Sequence, residues 1–329
     1  MANDTKVLVT GAGGFIGHHL VTFLKQQGYW VRGVDQKYPE YGMTDADAFE
    51  LLDLRRWDNC LQATRGIDEV YALAADMGGM GFISSHHAEI LRNNALINLH
   101  TLEAARLNGI QRYLYTSSAC IYPEYLQTDA DVTPLKEEDA YPAQPQDAYG
   151  WEKLVAERLC LHYREDYGLA TRIVRFHNIF GPLGTWDGGR EKAPAAICRK
   201  VAMAKLTGNC DMEIWGDGEQ TRSFCYIDDC VSALHQAMQS SYPISAILGG
   251  SPPFTINQIA DIIIQIAGIQ VSKRYLHDLG HHEQFIPHET DLPLVVGPEP
   301  PTSIEQGLAN TYAWIEERVR VHLLNRRNN

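Results

Sequence analysis

The sequence has no long uncharged hydrophobic run, although 45% of its 329 residues are hydrophobic. No run reaches the roughly 18 residues that a membrane-spanning helix needs, so we expect no membrane partner. Basic residues are in deficit, since 28 lysines and arginines stand against 41 aspartates and glutamates, a formal net charge of −13. That charge would repel a polyphosphate, so nucleic acid is not an expected partner.

Cysteine forms no recognisable pattern. The seven cysteines are an odd number, are scattered along the chain and include no C-x-x-C pair, which is typical of a reduced compartment. No basic segment or apolar leader precedes the first strand-like run. We therefore expect a cytoplasmic protein.

Short runs rich in β-branched residues alternate with longer amphipathic stretches in the first half of the chain. The short runs predict strands at residues 6–10, 31–34, 69–73, 113–116 and 171–175. The amphipathic stretches predict helices at residues 15–27, 57–63, 86–108 and 148–167. This alternation is typical of βαβ units, whose handedness places helices on both faces of one sheet. We expect an α/β fold built on a Rossmann-type, doubly wound parallel sheet.

The pattern changes after residue 175, where glycine and proline become frequent and the alternation breaks into short pieces. We expect residues 1–175 to form one domain and residues 176–329 to form mainly a smaller C-terminal lobe, with a return of the chain to the first domain allowed. Thr255 and Gln258 form a capping box that opens a predicted helix at 256–267. A last helix is predicted at 303–324, and the proline-rich segment 276–301 is predicted to be a loop.

Three glycines, at positions 11, 14 and 17, mark the passage from the first predicted strand into the first predicted helix. Gly11 permits a tight turn, Gly14 lets the backbone approach a pyrophosphate, and Gly17 lets helix and strand pack closely. The unpaired N–H groups of the helix N-terminus then face the phosphates. Asp35 ends the next strand, where a carboxylate binds both ribose hydroxyls of an adenosine and repels a 2′-phosphate. The sequence therefore predicts NAD, rather than NADP, bound to the first domain.

Further cofactor contacts are expected near the ends of the first strands. Asp53 and Leu54, after a short run, would reach the adenine. The stretch 73–75 would provide small residues where the cofactor crosses the strand predicted at 69–73. The predicted NAD-binding set is Gly11, Gly14, Phe15, Ile16, Gly17, Asp35, Asp53, Leu54, Leu73, Ala74, Ala75, Tyr149 and Lys153.

Tyr149 and Lys153 are four residues apart, so they are adjacent on one helical face. A tyrosine of pKa about 10 must lose roughly three units to act as a base near neutrality. The Lys153 ammonium and a nicotinamide cation would supply that stabilisation. Ser118 would hydrogen-bond the substrate hydroxyl that Tyr149 deprotonates as hydride leaves for NAD. These three residues predict a redox enzyme.

The residues described so far resemble the extended short-chain dehydrogenase/reductase family, the NAD-dependent epimerases and dehydratases of nucleotide-linked sugars, from Val7 to about Ala237. The resemblance narrows to the GDP-mannose 3,5-epimerase family of that group through the stretches 75–82, 117–124, 145–150, 175–179, 188–196 and 215–224. It implies a nucleotide-sugar substrate, with a GDP-hexose favoured, bound mainly by the smaller lobe. It also implies a homodimer in which helices 86–108 and 148–167 pair across a two-fold axis.

The resemblance also implies a reaction. Transient oxidation of the hexose at C4 makes a ketone that acidifies the C–H bonds at C3 and C5, and an acid/base pair then inverts one or both carbons of GDP-mannose, toward GDP-L-galactose or GDP-L-gulose. Cys120 and Lys192 are that implied pair. Because Cys120 is two residues after Ser118, an extended backbone would direct both side chains toward the sugar. The implied substrate-binding set is Met77, Gly78, Ser118, Ala119, Cys120, Asn178, Glu191, Lys192, Ala193, Lys200, Gln220 and Arg222.

Three other functions remain open at this point. A nucleotide-sugar 4,6-dehydratase shares the C4 oxidation, but would be expected to carry an Asp-Glu pair in place of Ala119 and Cys120. A 4-epimerase needs no second acid/base pair and would leave Cys120 and Lys192 unexplained. A non-catalytic NAD-binding regulator would typically have lost the serine, tyrosine and lysine that are present here.

One segment departs from the resemblance. The epimerases carry an arginine-containing element near residues 276–293 that binds the diphosphate, whereas residues 279–291 of this chain contain no arginine. The nucleotide base, and the choice between C3 and C5, therefore stay open. Four histidines of this region match no compact ligand pattern, so no metal is predicted. They are His277, His281, His282 and His288.

Overall fold

The computed structural model describes residues 4–78, 80–83, 85–126, 136–241, 246–248, 253–276 and 301–327. At its centre is a seven-stranded sheet in the order β11-β6-β5-β4-β1-β2-β3, with every neighbouring pair parallel. The strands are β1 (Lys6–Thr10), β2 (Trp30–Asp35), β3 (Ala48–Leu51), β4 (Glu69–Ala72), β5 (Arg112–Ser118), β6 (Ala170–Phe176) and β11 (Ala246–Leu248). The predicted parallel sheet is confirmed.

Helices cover both faces of this sheet because alternate side chains of each buried strand point to opposite sides. Val7 and Val9 of β1 pack into a core that includes residues of α1 (Phe15–Gln26) and α7 (Ile227–Gln239). Leu8, between them, packs into a second core. That second core includes residues of α2 (Trp57–Thr64), α4 (His87–Leu107) and α5 (Ala148–Tyr167). The fold is therefore doubly wound, as expected.

The second half of the chain contributes a smaller set of elements and then returns to the sheet. Helices α6 (Ala193–Thr207), α8 (Ile256–Ala267) and α9 (Ile304–Arg327) pack on one another. Short strands pair beside them, namely β7 (Asn178–Phe180) with β10 (Phe224–Tyr226), β8 (Asp211–Trp215) with β13 (Ser272–Leu276), and β9 (Thr221–Arg222) with β12 (Phe254–Thr255). Helix α7 and strand β11 join the central sheet. The exact division at residue 175 stays a prediction.

Most predicted elements match the observed ones within two residues at each end. Helix α8 begins at its predicted capping box, where the Thr255 hydroxyl accepts from the Gln258 N–H and the Gln258 side chain accepts from the Thr255 N–H. The predicted loop at 276–301 is wrong at its first residue, because Leu276 pairs with Trp215 as the end of β13. Residues 277–300, with the four histidines, lie outside the described residues. A short helix α3 (Met80–Ile83) was not predicted.

Candidate active site

A cavity of about 590 Å³ lies at the carboxyl ends of the parallel strands, where ligands bind in open α/β sheets. Its walls come from the turns after β1, β2, β4, β5 and β6 and from the segment between β7 and α6. It brings together the following predicted site residues: Gly11, Gly14, Phe15, Ile16, Gly17, Asp35, Leu54, Leu73, Ala74, Ala75, Met77, Gly78, Ser118, Tyr149, Lys153 and Lys192.

The turn from β1 to α1 is built so closely that it needs glycine. A Cβ on Gly17 would lie 2.1 Å from the carbonyl oxygen of Gly11, and Gly11 itself has a φ of 70°. Helix α1 starts after Gly14 with no side-chain cap and no acidic residue in its first turn. Its first N–H groups therefore offer a site for an anionic group such as a pyrophosphate.

Asp35 ties this turn to the end of β2. Its carboxylate accepts hydrogen bonds from the N–H groups of Gly13 (3.0 Å) and Gln36 (2.6 Å), and the side chain lines the cavity. Asp53 is not among the residues that line it, because its carboxylate is held by two nitrogens of Arg55. Arg55 lines the cavity in its place. The walls thus offer a helix N-terminus and a carboxylate to a dinucleotide, and they fit NAD.

Tyr149, Lys153 and Ser118 meet at the inner end of the cavity. The Tyr149 hydroxyl hydrogen-bonds Ser118, and the Lys153 Nζ lies 5.6 Å from the centroid of the Tyr149 ring. Lys153 Nζ is fixed by donating to the carbonyl oxygen of Thr116 at 2.8 Å. Burial raises the pKa of Tyr149 well above its usual value. A positive charge beside the phenol is therefore needed before Tyr149 can act as a base.

Cys120 reaches this group of residues by a route that the sequence did not predict. The predicted extended backbone after Ser118 is wrong, because Ala119–Ile121 form a 3₁₀ turn. The Ser118 hydroxyl caps this turn by accepting a hydrogen bond from the Cys120 N–H at 3.2 Å. Helix α5 packs directly on this turn, since a Cβ on Gly150 would lie 2.2 Å from the Cys120 carbonyl oxygen. Cys120 consequently packs in the same cluster as Tyr149.

Lys192 occupies the N-cap position of α6 and lines the same cavity as Tyr149. Its side chain is exposed to the cavity, yet the surrounding protein desolvates the ammonium and lowers the pKa of Lys192. Negative charge on Cys120 or Cys230 would raise the same pKa, so both sulfurs lie within electrostatic range of Lys192. Cys120 packs with Tyr149, and Lys192 lines the same cavity as Tyr149, so two titratable groups from different parts of the chain lie near this tyrosine.

The remaining predicted substrate contacts lie outside the cavity lining. Asn178 donates to the Ser223 carbonyl oxygen at 3.2 Å, and Lys200 donates to the Glu213 carbonyl oxygen at 2.6 Å. The Glu191 carboxylate accepts from Arg199 at 2.8 Å. Five more belong to the same group, and their predicted roles stay predictions: Ala119, Cys120, Ala193, Gln220 and Arg222.

The cavity also includes residues that the sequence did not single out. His177 follows β6 and its pKa is lowered by burial to about 4, so its ring is neutral near pH 7. Arg190 places its guanidinium carbon 3.9 Å from the ring centroid of Phe82. Both residues lie in stretches that carry the family resemblance, 175–179 and 188–196, but neither was given a role; the convergence of parallel strands at their carboxyl ends is a further signal for His177. Among the described residues no cluster of three or more histidine, cysteine or acidic side chains could hold a metal.

Comparison with known proteins places the chain in a family. A model described as the NAD dependent epimerase/dehydratase family matches residues 7–246. The chain belongs to this family. GDP-mannose 3,5-epimerase of Arabidopsis thaliana is 45% identical over 323 residues, which cover 97% of this chain and 84% of that protein. GDP-mannose 3,5-epimerase 1 of Oryza sativa subsp. japonica is 46% identical over 95% of this chain and 82% of that protein. The resemblance drawn from the sequence motifs is confirmed.

Solved structures of the same fold support this assignment. A UDP-N-acetylglucosamine 4-epimerase from Methanobrevibacter ruminantium, in complex with UDP-N-acetylmuramic acid, is 25% identical with a TM-score of 0.82 and covers 97% of this chain and 100% of its own. MoeE5 in complex with UDP-glucuronic acid and NAD is 27% identical with a TM-score of 0.77 and covers 96% of this chain and 100% of its own. The protein is an enzyme of the epimerase family, and its cofactor is NAD.

No helix of the described residues is both long and apolar enough to cross a membrane.

Proposed function

We propose that the enzyme epimerises a GDP-linked hexose, with GDP-mannose as substrate and C3 and/or C5 as the inverted carbons. The relatives named GDP-mannose 3,5-epimerase, 45% and 46% identical, support the substrate. The observation that carries the reaction type is that Cys120 packs with Tyr149 and lies within electrostatic range of Lys192, which lines the same cavity as Tyr149. A 4-epimerase needs only the tyrosine, the lysine and the serine, whereas inversion of a second carbon needs an additional acid and base.

Oxidation at C4 begins at Tyr149. Its phenolate takes the proton of the C4 hydroxyl, while the Ser118 hydroxyl, already hydrogen-bonded to Tyr149, orients the reacting oxygen. Lys153, held by Thr116, supplies the positive charge that the buried phenolate needs. NAD, held at the glycine turn and Asp35, would supply the acceptor for the C4 hydride and the donor that restores the alcohol.

Inversion then uses the acidity of the carbons next to the C4 ketone. One member of the pair Cys120 and Lys192 removes a proton from C3 or C5, and the other donates a proton to the opposite face. The lowered pKa of Lys192 makes its neutral, proton-accepting form more accessible near neutral pH. Removal and return of the carbon-bound proton exchanges it with solvent, so solvent isotope enters the product at the inverted carbon.

Separate variants test the two stages. Tyr149→Phe should abolish both the absorbance of bound NADH and the incorporation of solvent deuterium, since no ketone forms to acidify C3 or C5. Cys120→Ala and Lys192→Ala should keep C4 oxidation and lose deuterium incorporation into GDP-mannose by about 100-fold, the scale of one positioned acid or base.

Matched substitutions on the surface provide the controls. Cys210→Ala removes an exposed thiol, and Lys205→Ala removes a lysine of α6 that pairs with Glu316. Both should incorporate deuterium at the parental rate, with its position read by NMR. Parental incorporation in both Cys120→Ala and Lys192→Ala would refute the acid/base pair, and product epimerised only at C4 would favour the 4-epimerase alternative.

We further propose that the enzyme is a cytoplasmic homodimer in which α4 and α5 of the two subunits pair. Support for the compartment comes from the scattered cysteines, which form no disulfide among the described residues. Exposed apolar side chains on both helices support the interface, including Leu99 (47% exposed) and Val155 (63% exposed).

A further inference from the structure

Glu152 is a carboxyl group that the proposed chemistry does not use. It lies on α5, three residues after Tyr149 and one before Lys153, and it is 2% exposed. It is not among the described residues that line the cavity; its side chain faces Asn98 of α4 instead. A glutamate this deeply buried is rare unless another group compensates its charge.

One neighbour of this carboxyl group donates a hydrogen bond to it. Asn98 Nδ2 donates to Oε1, Asn94 and Tyr115 are further polar neighbours that act on its pKa, and Oε2 has no hydrogen-bond partner among the described residues. Asn98 Nδ2 also lies 3.4 Å from the Tyr115 oxygen, so the phenol hydrogen is free to point at the carboxyl group. Burial raises the pKa of Glu152, while Lys153 and these three neighbours act in the opposite direction. The hydrogen bond from Asn98 favours the carboxylate over the protonated acid.

Lys153 needs such a negative charge. Desolvation lowers its pKa, and the carboxylates that oppose this effect are Glu152 and Glu157, both on α5. Glu157 is already neutralised, because Arg175 donates to its two oxygens at 3.0 and 2.8 Å. No arginine or lysine within the described ranges forms an ion pair with Glu152. The thiols of Cys120 and Cys160 also face Lys153, and a thiol carries no charge in its ordinary state.

We propose that Glu152 is a positioning residue for the active site: its buried carboxylate, held by Asn98 beside Tyr115, keeps Lys153 protonated. This inference rests on the proposed roles of Tyr149 and Lys153. Glu152 acts on the substrate through Lys153. The Lys153 Nζ donates to the Thr116 carbonyl oxygen and lies 4.9 Å from the Tyr115 ring centroid. Glu152 therefore contributes an electrostatic field and no contact with the sugar.

The inference predicts a particular change in the pH profile of C4 oxidation. The active form has Tyr149 deprotonated and Lys153 protonated, so the rate rises through the pKa of Tyr149 and falls through the pKa of Lys153. The negative charge of Glu152 raises both pKa values. Glu152→Gln should therefore move both limbs of the profile to lower pH, the alkaline limb by about one unit or more. A purely structural loss would lower the maximum and leave the limbs in place.

The experiment follows the absorbance of bound NADH after addition of GDP-mannose, from pH 5 to 10, in the parent and in Glu152→Gln. Glu152→Asp keeps the charge and should leave both limbs in place. Glu165→Gln removes an exposed carboxylate from the same helix and should also leave them in place. If Glu152→Gln does not fold, Glu152→Ala removes the same charge and should give the same displacement. If the folded variant shows both limbs of the pH profile in their parental positions, the proposal is rejected. Failure of both variants to fold would also reject it.

A second readout needs no cofactor. Without Glu152, Lys153 has a folded pKa further below its unfolded value, so the unfolded chain binds more protons between those two values and stability rises with pH there. In urea denaturation of the cofactor-free proteins, the stability deficit of Glu152→Gln should shrink as the pH rises from 7 toward 10. A deficit that is constant with pH would contradict the proposal. Loss of C4 oxidation in Tyr149→Phe remains a separate result, so the proposed base and this inference fail independently.

Discussion

A single carboxylate joins two parts of the cofactor site. Asp35 ends β2, accepts the Gly13 N–H of the glycine turn and still lines the cavity. Its hydrogen bonds to the backbone fix its orientation before any ligand binds. A ribose that hydrogen-bonds the same carboxylate would find it already positioned, whereas a 2′-phosphate would meet a fixed negative charge.

Asp35→Asn keeps the shape of this side chain and removes its charge. We expect the affinity for NAD to fall by about tenfold or more, the scale of one charge-assisted hydrogen bond, and the preference over NADP to fall with it. Calorimetric titration of the cofactor-free protein with both dinucleotides measures this ratio. Asp45→Asn, an exposed aspartate bonded to Thr22, is the control. An unchanged ratio in Asp35→Asn would show that another residue selects NAD.

The predictability of individual site residues from the sequence depends on whether the relevant geometry is local. Tyr149 and Lys153 were found because a helix of fixed pitch determines the relation of residues four apart. The backbone at Cys120 was predicted wrongly because the Ser118 hydroxyl caps a 3₁₀ turn, and a short side-chain cap competes with extended backbone. Arg190 packs on the ring of Phe82, about 110 residues earlier in the chain, and this contact depends on folding of the whole chain.

At the scale of elements, the β1–α1 turn sets the position of the cofactor. Gly17→Ala would place a methyl carbon 2.1 Å from a backbone oxygen that no side-chain rotation can move. We expect a destabilisation of about 3 kcal/mol and loss of NAD binding, since the turn must open to relieve the overlap. Urea denaturation with and without NAD measures both effects.

Gly66→Ala is the matched control for this substitution. Gly66 has a φ of 69°, but a Cβ there would meet nothing within 4 Å. We expect Gly66→Ala to lower the free energy of unfolding by about 1 kcal/mol, because alanine is strained in the left-handed backbone conformation. The affinity for NAD should not change. Equal losses of affinity in the two variants would show that the close contact of Gly17 with Gly11 is not what the cofactor requires.

The sequence predicted long and buried elements better than short or peripheral ones. Strand β1 was predicted exactly because three consecutive apolar residues are buried on both faces. Strand β3 was missed, since it is a four-residue edge strand with no buried residue. Strand β11 pairs with β6, about 70 residues earlier in the chain, and such long-range pairing leaves no local pattern.

At the scale of the whole molecule, two neighbouring helices present apolar side chains that the chain itself does not cover. Helix α4 carries Leu91, Leu99 and Leu107 at eight-residue spacing, and α5 carries Trp151 and Val155 one turn apart. These side chains are between 42% and 63% exposed. Helices α4 and α5 pack against each other, so these exposed side chains lie on adjacent elements. A patch of this kind is typical of a subunit interface.

Val155→Glu should convert the proposed homodimer to a monomer. A glutamate buried at the proposed interface without a cationic partner should weaken association by about 100-fold or more. Met43→Glu makes the same kind of change at a residue that is 93% exposed on the connection between β2 and β3, and it should leave the assembly unchanged. Light scattering at micromolar protein gives the mass of each. A parent that is monomeric at every concentration would rule out the proposed dimer, and a Val155→Glu variant that remains dimeric would place the subunit contact elsewhere. Val155 lies only six residues from Tyr149 on α5. Loss of the dimer in an otherwise folded variant should therefore also show whether the partner subunit stabilises the helix that carries the proposed base.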